Sequence, residues 1–418
     1  MRSAKTLSVI LLCVLLVGKE AAAQSQPEAL QQYPDLAEAA YGDALTGARA
    51  LQTSIDDFLA HPDEQLLTAA RTAWKAARVS YMQTEGFRFG NETVDAWEPK
   101  VNSWPVDEGL IDYVAPKYGT ASQENPLYAA NVLAARKIRI DADEVAVAKI
   151  DDALLRRLQG AAGATANVAT GYHAIEFLLW GQDLHGTGPG AGERPASDYD
   201  LAHCTHGNCD RRAAYLKHAA ALLVADLAEM TADWGKGGAA RKEFEGKGAD
   251  GFAAILTGLG SLSFGEMAGE RMKLGLMLHD PEEEQDCFSD NTHNAIYYDE
   301  VGIAGIWRGT HTASDGKMTT VASLRDYVQA KNPAAAARMD AALAATDAAL
   351  GKIKKTADSG TMAYDQMIAS GNVEGNKLVQ DGIAALTAQT RAIEGVVAAL
   401  GTHIDTGKSD AFKSAKAP

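Results

Sequence analysis

Residues 167–181 read NVATGYHAIEFLLWG, and this stretch decides the fold. Drawn as a helix, it is apolar nearly all the way round. A helix of that kind is buried on every side. We therefore expect it to lie in the core, with other elements packed around it.

The rest of the chain predicts the helices that would surround this segment. Apolar residues recur at three- and four-residue spacing, which is typical of amphipathic helices. Two such stripes are Leu67, Ala70, Trp74, Ala77 and Tyr81, and then Leu216, Ala220, Leu223 and Leu227. The sequence shows no series of segments with the alternating pattern of β-strands, although short β-strands stay possible near residues 97–114 and 297–307. The pattern predicts an all-α fold.

Two zones rich in loop residues, 181–210 and 280–309, interrupt the helical pattern. The first contains Gly186, Gly188, Gly190, Gly192 and Pro195, which favour a connection between two helical halves. We expect two packed helical-bundle domains. Residues 24–200 form the N-terminal bundle in this division, and residues 201–418 form the C-terminal bundle.

The N-terminus has the features of an export signal. Arg2 and Lys5 precede a short apolar run over residues 7–17, and small residues precede Gln24. This order predicts a signal peptide over residues 1–23 that is cleaved in the mature protein. We identify no later stretch that is long and apolar enough to cross a membrane, and we expect an exported, soluble mature chain.

Composition excludes two broad classes of protein. The 418 residues are 46% hydrophobic and 22% charged, which is too apolar for a wholly disordered chain. The formal net charge is −16. A nucleic-acid-binding protein needs a basic face, so this balance argues against such a partner.

Three cysteines remain after the predicted cleavage. Cys204 and Cys209 bracket a four-residue turn, which predicts a small disulfide loop. His203 and His206 are interleaved with them, so a metal site stays an alternative. Cys287 is left over, and its pairing with either of the others stays open.

His173 and Glu176 lie one turn apart on the same face of the buried helix. A buried carboxylate without a partner is costly or protonated. The pair must therefore meet a hydrogen-bonded partner, a cation or a metal. The spacing His-x-x-Glu occurs three times in the chain, so the buried context, rather than the spacing, distinguishes this pair. A structural ion pair and a metal or catalytic site are both open interpretations.

Other polar residues fall where apolar ones are expected. Glu85 continues the stripe that ends at Tyr81, and Arg78 could neutralise it. Asp107 and Asp112 are acidic positions among large apolar ones, and Asp107 could instead cap a helix. Arg271 lies on a predicted helix with two glycines spaced for a close contact, and it could point into the domain boundary.

A polar cluster over residues 287–293 offers several further donors. It brings Ser289, Asp290 and His293 close together in sequence, although an ordinary capped turn has the same composition. The acidic run 282–284 just before it predicts a solvated face.

At these residues the chain resembles the imelysin family, whose signature Gly-x-His-x-x-Glu is met by Gly171, His173 and Glu176. The resemblance spans nearly the whole mature chain. It also covers four further segments: residues 104–105, 111–113, 269–272 and 288–293.

The resemblance implies an all-α protein of two bundles, with the signature helix facing a site near their boundary. It also implies an exported bacterial protein of the periplasm that is tied to iron uptake, with outer-membrane association left open. The expected ligand is iron or an iron-containing molecule, and other components of an uptake system are possible partners. Zinc and calcium stay open as the metal. By analogy with iron-binding members, Glu85 and Asp107 are the first choices for further ligands.

The family also includes peptidases, and this alternative uses the same residues. Glu176 would then act as the base beside a bound metal. The zinc peptidase motifs His-Glu-x-x-His and His-x-x-Glu-His are absent, because Phe177 follows Glu176. A binding protein is therefore the favoured interpretation, and a metallopeptidase the alternative.

Overall fold

The computed structural model describes residues 27–404, so the predicted signal peptide lies outside the described residues. Helices dominate, and two small hairpins interrupt them. The α-helices are α1 (Glu28–Ala60), α2 (Glu64–Met82), α3 (Glu92–Trp97), α4 (Pro99–Asn102), α5 (Asp152–Leu158), α6 (Gly171–Trp180), α7 (Cys209–Trp234), α8 (Ala239–Gly246), α9 (Gly251–Ser261), α10 (Gly275–Leu278), α11 (Thr292–Arg308), α12 (Leu324–Lys331), α13 (Pro333–Asp358), α14 (Tyr364–Ile368) and α15 (Val373–Leu400). The strands are β1 (Lys137–Ile140), β2 (Asp143–Ala146), β3 (Thr310–Thr312) and β4 (Met318–Thr320).

One group of helices surrounds α6. Helix α1 packs along α2 and α7, and α6 lies against α2 and α7. The predicted stripes on α2 and α7 are buried, so the three- and four-residue spacing correctly identified their core faces. The Trp74 indole donates a hydrogen bond to the Tyr172 carbonyl over 2.9 Å, which joins α2 to α6.

A second group of helices follows in the chain. Helices α9 and α10 are joined without a break by a π-helix, Leu262–Leu274. This π-helix packs on α15, which packs along α13, and α13 packs on α11. Helix α11 also contacts α2, so it connects the two groups. The division at residue 200 stays a prediction; α7, which lies beyond it, packs with the first group.

The strands lie elsewhere than the two segments left open for them. β1 pairs with β2, and β3 with β4, each as an antiparallel hairpin. Residues 297–307 instead belong to α11, so the second loop-rich zone is shorter than expected. An apolar face repeating every three to four residues, with Ile296, Ile303 and Trp307 buried, accounts for that helix.

Helix α15 bears on the expectation that no later segment could span a membrane. Among residues 27–404, it is one helix whose length and composition would suffice to do so. Core helices of soluble proteins meet the same criterion, so a single helix of this kind is weak evidence. In this structure α15 contacts α13 and the π-helix.

Candidate metal centre

Helix α6 begins at a position that only glycine fits. Gly171 has φ +82°, a conformation that side chains rarely adopt. A Cβ there would lie 2.4 Å from the Val101 carbonyl oxygen. The glycine of the signature therefore lets α6 start against the backbone of α4. This close start positions the following turn, which carries the site.

His173 and Glu176 point into the core from that turn, with side chains 1% and 0% exposed. Their Nδ1 and Oε2 atoms are 3.0 Å apart, so the two residues contact each other. Asp286, also fully buried, adds a third donor: its Oδ1 lies 3.9 Å from His173 Nδ1. One ligand atom from each of the three residues falls within 4.8 Å of the others. We call these three residues the metal centre.

Neighbouring groups fix both carboxylates. The Ser289 backbone N–H and hydroxyl donate to Glu176 Oε1 over 3.0 and 2.6 Å. The Arg78 guanidinium lies 2.8 Å from Asp286 Oδ1, and the Asn291 amide donates to Oδ2. Arg78 is in turn held over the faces of three aromatic rings, including that of Tyr172.

The electrostatics leave the metal centre short of positive charge. Burial and the Asp286 carboxylate raise the pKa of Glu176 well above its usual range. Burial alone would also raise the pKa of Asp286, but the Arg78 guanidinium holds it below its usual range. Burial, together with Arg78, lowers the pKa of His173 to about 3, so its imidazole is neutral at neutral pH.

The residues present fit a metal ion. His173 Nε2 is buried and has no hydrogen-bond partner among the described residues. A neutral imidazole with two carboxylates is a donor set for a hard or borderline first-row cation. Glu and His spaced three apart on an inward-facing helix are a recurrent way to build such a site in helical bundles.

Glu85 and Asp107, the two expected further ligands, are not among the donors that converge with His173. Glu85 is paired with Arg271, whose guanidinium lies 2.8 Å from it. Arg271 also pairs with Asp299, at 2.7 Å. Asp107 instead accepts a hydrogen bond from Asn125. The four-residue step correctly placed Glu85 inside the protein, but its carboxylate pairs with Arg271 of the π-helix and not with the other donors.

Of the residues predicted in the polar cluster, Ser289 contacts the metal centre and His293 pairs with a residue outside it. Ser289 contacts the metal centre directly, through Glu176. Asp290 follows it with φ +52°, and burial with the nearby Asp183 raises its pKa to about 6. His293 pairs with Asp358, at 3.1 Å.

Asp112 belongs to a separate buried cluster. It accepts hydrogen bonds from Arg194 and Arg212, at 2.8 and 2.6 Å. Arg194 also lies 3.1 Å from Asp198. We call these four residues the arginine cluster.

The structure joins Cys204 and Cys209 by a disulfide and leaves Cys287 as a free thiol. The loop lies beside the arginine cluster, since Arg212 donates to the Gly207 carbonyl. His206 is 2.6 Å from Asp198 and His203 is 2.8 Å from Asp200, so each interleaved histidine faces a carboxylate.

Sequence reasoning missed Asp286. The polar cluster was drawn from residue 287, one position too late, and the acidic run 282–284 was interpreted as solvated. That interpretation is wrong for Glu284, which is 2% exposed. Asp286 does not fall on any repeating apolar or polar pattern. The one sequence signal that could have found it is its closeness to Ser289 and Asn291 in the polar cluster.

Comparison with known proteins places this geometry in context. The Imelysin family model matches residues 37–393. Iron-regulated protein A of Synechococcus elongatus is 34% identical over 71 residues, which are 17% of this chain and 20% of that protein. The match thus spans about a fifth of the relative's length.

Two solved structures share the fold. A protein named as an iron-regulated protein A precursor, from Parabacteroides distasonis, superposes with a TM-score of 0.61 at 17% identity, over 90% of this chain and 97% of that one. An imelysin-like protein from Psychrobacter arcticum gives a TM-score of 0.57 at 16% identity, over 90% and 95% of the two chains. These two likenesses show the shared fold. The family model matches most of the length of the chain, which therefore belongs to the imelysin family.

Proposed function

We propose that the protein binds a metal ion, iron first among the possibilities, at His173, Glu176 and Asp286, and serves iron uptake as an exported protein. One observation carries this proposal: two buried carboxylates and an imidazole converge around a single directly paired guanidinium.

The charge balance supports a cation at this position. Arg78 pairs directly with Asp286, whereas Glu176 has no direct ion pair with a lysine or arginine among the described residues. Lys75 and Arg78 act on Glu176 only at longer range. In the metal-free protein, the raised pKa of Glu176 favours its protonated form. A divalent ion would supply the missing charge, and Glu176 would release its proton to bind it. His173 Nδ1, the ring nitrogen that faces both carboxylates, would supply the nitrogen ligand, and Nε2 would carry the proton of the neutral imidazole.

The assignment to iron uptake and export draws on other support. Two of the similar proteins are named as iron-regulated, and one of these as a precursor. A positively charged N-terminus, an apolar run and small residues before Gln24 are typical of an export signal. The periplasm is the compartment we propose.

Burial favours holding an ion over cleaving a peptide. A metallopeptidase needs a coordination position that is open to water and substrate. The three donor side chains are only 0–1% exposed, so a peptide carbonyl would have to displace core packing to reach them. The peptidase alternative therefore ranks below the binding protein.

The test is a titration of the mature chain with Fe²⁺ under anaerobic conditions. We expect saturable binding that weakens in His173→Ala by at least roughly 10- to 100-fold, the cost of losing even an outer-shell partner of a metal ligand. The matched control is His203→Ala, an exposed histidine, which should bind as the wild type does. Unchanged affinity in His173→Ala would refute the proposal. Chelator-sensitive proteolysis that is lost in Glu176→Gln would instead favour the peptidase.

A further inference from the structure

A pocket of about 380 Å³ is lined by residues of segments 104–108, 117–128, 182–184 and 282–288. Its lining is strongly acidic. The carboxylates are Asp107, Glu108, Asp183, Glu282, Glu283 and Glu284. Lys117 is the one lysine or arginine among these described lining residues. We call this feature the acidic pocket.

One buried side chain in the wall of the pocket lacks partners. Gln285 is 2% exposed. Within residues 27–404, neither polar atom of its amide has a hydrogen-bond partner. Leaving such atoms unsatisfied is costly, so buried polar groups normally have partners. The place of Gln285 in the lining indicates that a ligand supplies the missing contacts.

Crowding of like charges adds to this cost. Desolvation raises the pKa of Glu108, with Asp107 contributing to the shift. At the mouth of the pocket, desolvation and then Glu108 raise the pKa of Glu282 to about 7. Lys117 opposes this shift but does not cancel it. A bound cation would relieve the repulsion among these carboxylates.

We propose that the acidic pocket binds a divalent cation that keeps its water shell. The carboxylate and amide oxygens are hard donors, which Mg²⁺, Mn²⁺ and similar ions prefer. In the described part of the chain, the metal centre is the one group of three His, Cys, Asp or Glu residues whose ligand atoms lie within 4.8 Å of one another. The pocket's carboxylates are thus spaced too widely for three of them to hold a bare ion.

The volume agrees with a hydrated ion. Six waters occupy roughly 180 Å³ at about 30 Å³ each, which the pocket accommodates. The pocket also lies beside the metal centre, because Cys287 lines it and interacts electrostatically with both Glu176 and Glu282. The two sites differ in donors: the pocket offers oxygen atoms, and the metal centre adds an imidazole.

The test is a titration of the mature full chain with Mn²⁺, with free Mn²⁺ followed by electron paramagnetic resonance. In Glu108→Gln/Glu282→Gln we expect one Mn²⁺ fewer per chain, or affinity weakened by roughly tenfold, since two nearby charges are removed. The matched control, Glu245→Gln/Glu394→Gln, removes two exposed charges and should bind as the wild type does. Identical titrations of the pocket variant and the wild type would overturn the inference.

Two further variants keep the test decisive. Lys117→Gln removes the opposing charge from an exposed position, so Mn²⁺ affinity should rise several-fold even if the double variant folds poorly. Unchanged affinity there would contradict a cation in the pocket. His173→Ala should retain the pocket's Mn²⁺. If His173→Ala loses all Mn²⁺ binding, the pocket inference fails and the metal centre stands as the Mn²⁺ site. If only the pocket variants lose Mn²⁺ binding, the pocket inference stands and the metal centre is not the Mn²⁺ site.

Discussion

The metal centre and the arginine cluster are both buried and charged, but their charges balance differently. In the arginine cluster, two carboxylates, Asp112 and Asp198, meet two guanidinium groups, those of Arg194 and Arg212. In the metal centre, two carboxylates meet one directly paired guanidinium. Burial of charge alone therefore does not indicate a bound ion. The proposed metal site rests on the lack of a second direct cationic partner.

Their surroundings differ less than their ion pairs. Both guanidinium groups of the arginine cluster lie over the Tyr113 ring, at 4.9 and 5.4 Å from its centroid. These contacts hold the loop before α7 against the core. Each site keeps buried nitrogen atoms without hydrogen-bond partners among the described residues, Nε and Nη2 of Arg194 in the cluster and Nε2 of His173 in the metal centre. The contrast therefore lies in the ion pairs.

The largest expected effect is in the arginine cluster. Asp112→Asn leaves two buried guanidinium groups with one carboxylate between them. We expect a loss of about 3–5 kcal/mol in the free energy of unfolding. Urea denaturation of the variant and the wild type measures it. A loss below about 1 kcal/mol would mean that solvent or other groups already compensate these charges.

A smaller loss should follow Gly171→Ala, which separates the backbone role of the signature glycine from metal binding. The unfavourable φ and the approach to Val101 predict a loss of roughly 2–3 kcal/mol. Gly395→Ala is the matched control, because it lies in α15 with open space around its Cβ and should be neutral or stabilising. Equal stabilities for the two variants, by thermal unfolding, would contradict the close-approach argument.

The disulfide variant Cys204→Ser/Cys209→Ser should lose about 2 kcal/mol, since the bridge closes only a short loop. The Gly207 carbonyl of this loop accepts a hydrogen bond from Arg212, so we expect the loss of stability to arise at the arginine cluster. Iron affinity should stay at the wild-type value, which the Fe²⁺ titration measures. A large drop in affinity would show that the two clusters are coupled.

The smallest effect on stability is expected for Glu176→Gln. Burial and the Asp286 carboxylate raise the pKa of Glu176 and so favour its uncharged form without a metal. A neutral amide of the same shape should therefore change stability by less than about 1 kcal/mol. Iron affinity should nevertheless fall. A loss of several kcal/mol in metal-free protein would instead indicate a structural ion pair with His173.

The sequence predicted the helices and the central pair well because both depend on local pattern. The buried stripe of α2 and the all-round apolar helix α6 follow from residue spacing alone. His173 and Glu176 share a face because they lie one turn apart, and the structure keeps them 3.0 Å from each other.

The remaining donor could not be found in this way. Asp286 reaches the metal centre from a segment 110 residues after Glu176, and tertiary packing alone brings them together. Glu85 shows the converse: its burial was predictable from the stripe, but its partner Arg271 comes from the distant π-helix. Charge balance in a core depends on such long-range pairs, which residue spacing does not encode.

The most direct measurement is anomalous diffraction at the iron edge from crystals of the mature protein grown with iron. We expect one peak within bonding distance of a His173 nitrogen and a Glu176 oxygen, with Asp286 adjacent. Iron bound elsewhere, with the His173–Glu176 contact intact and no peak between them, would contradict the metal centre.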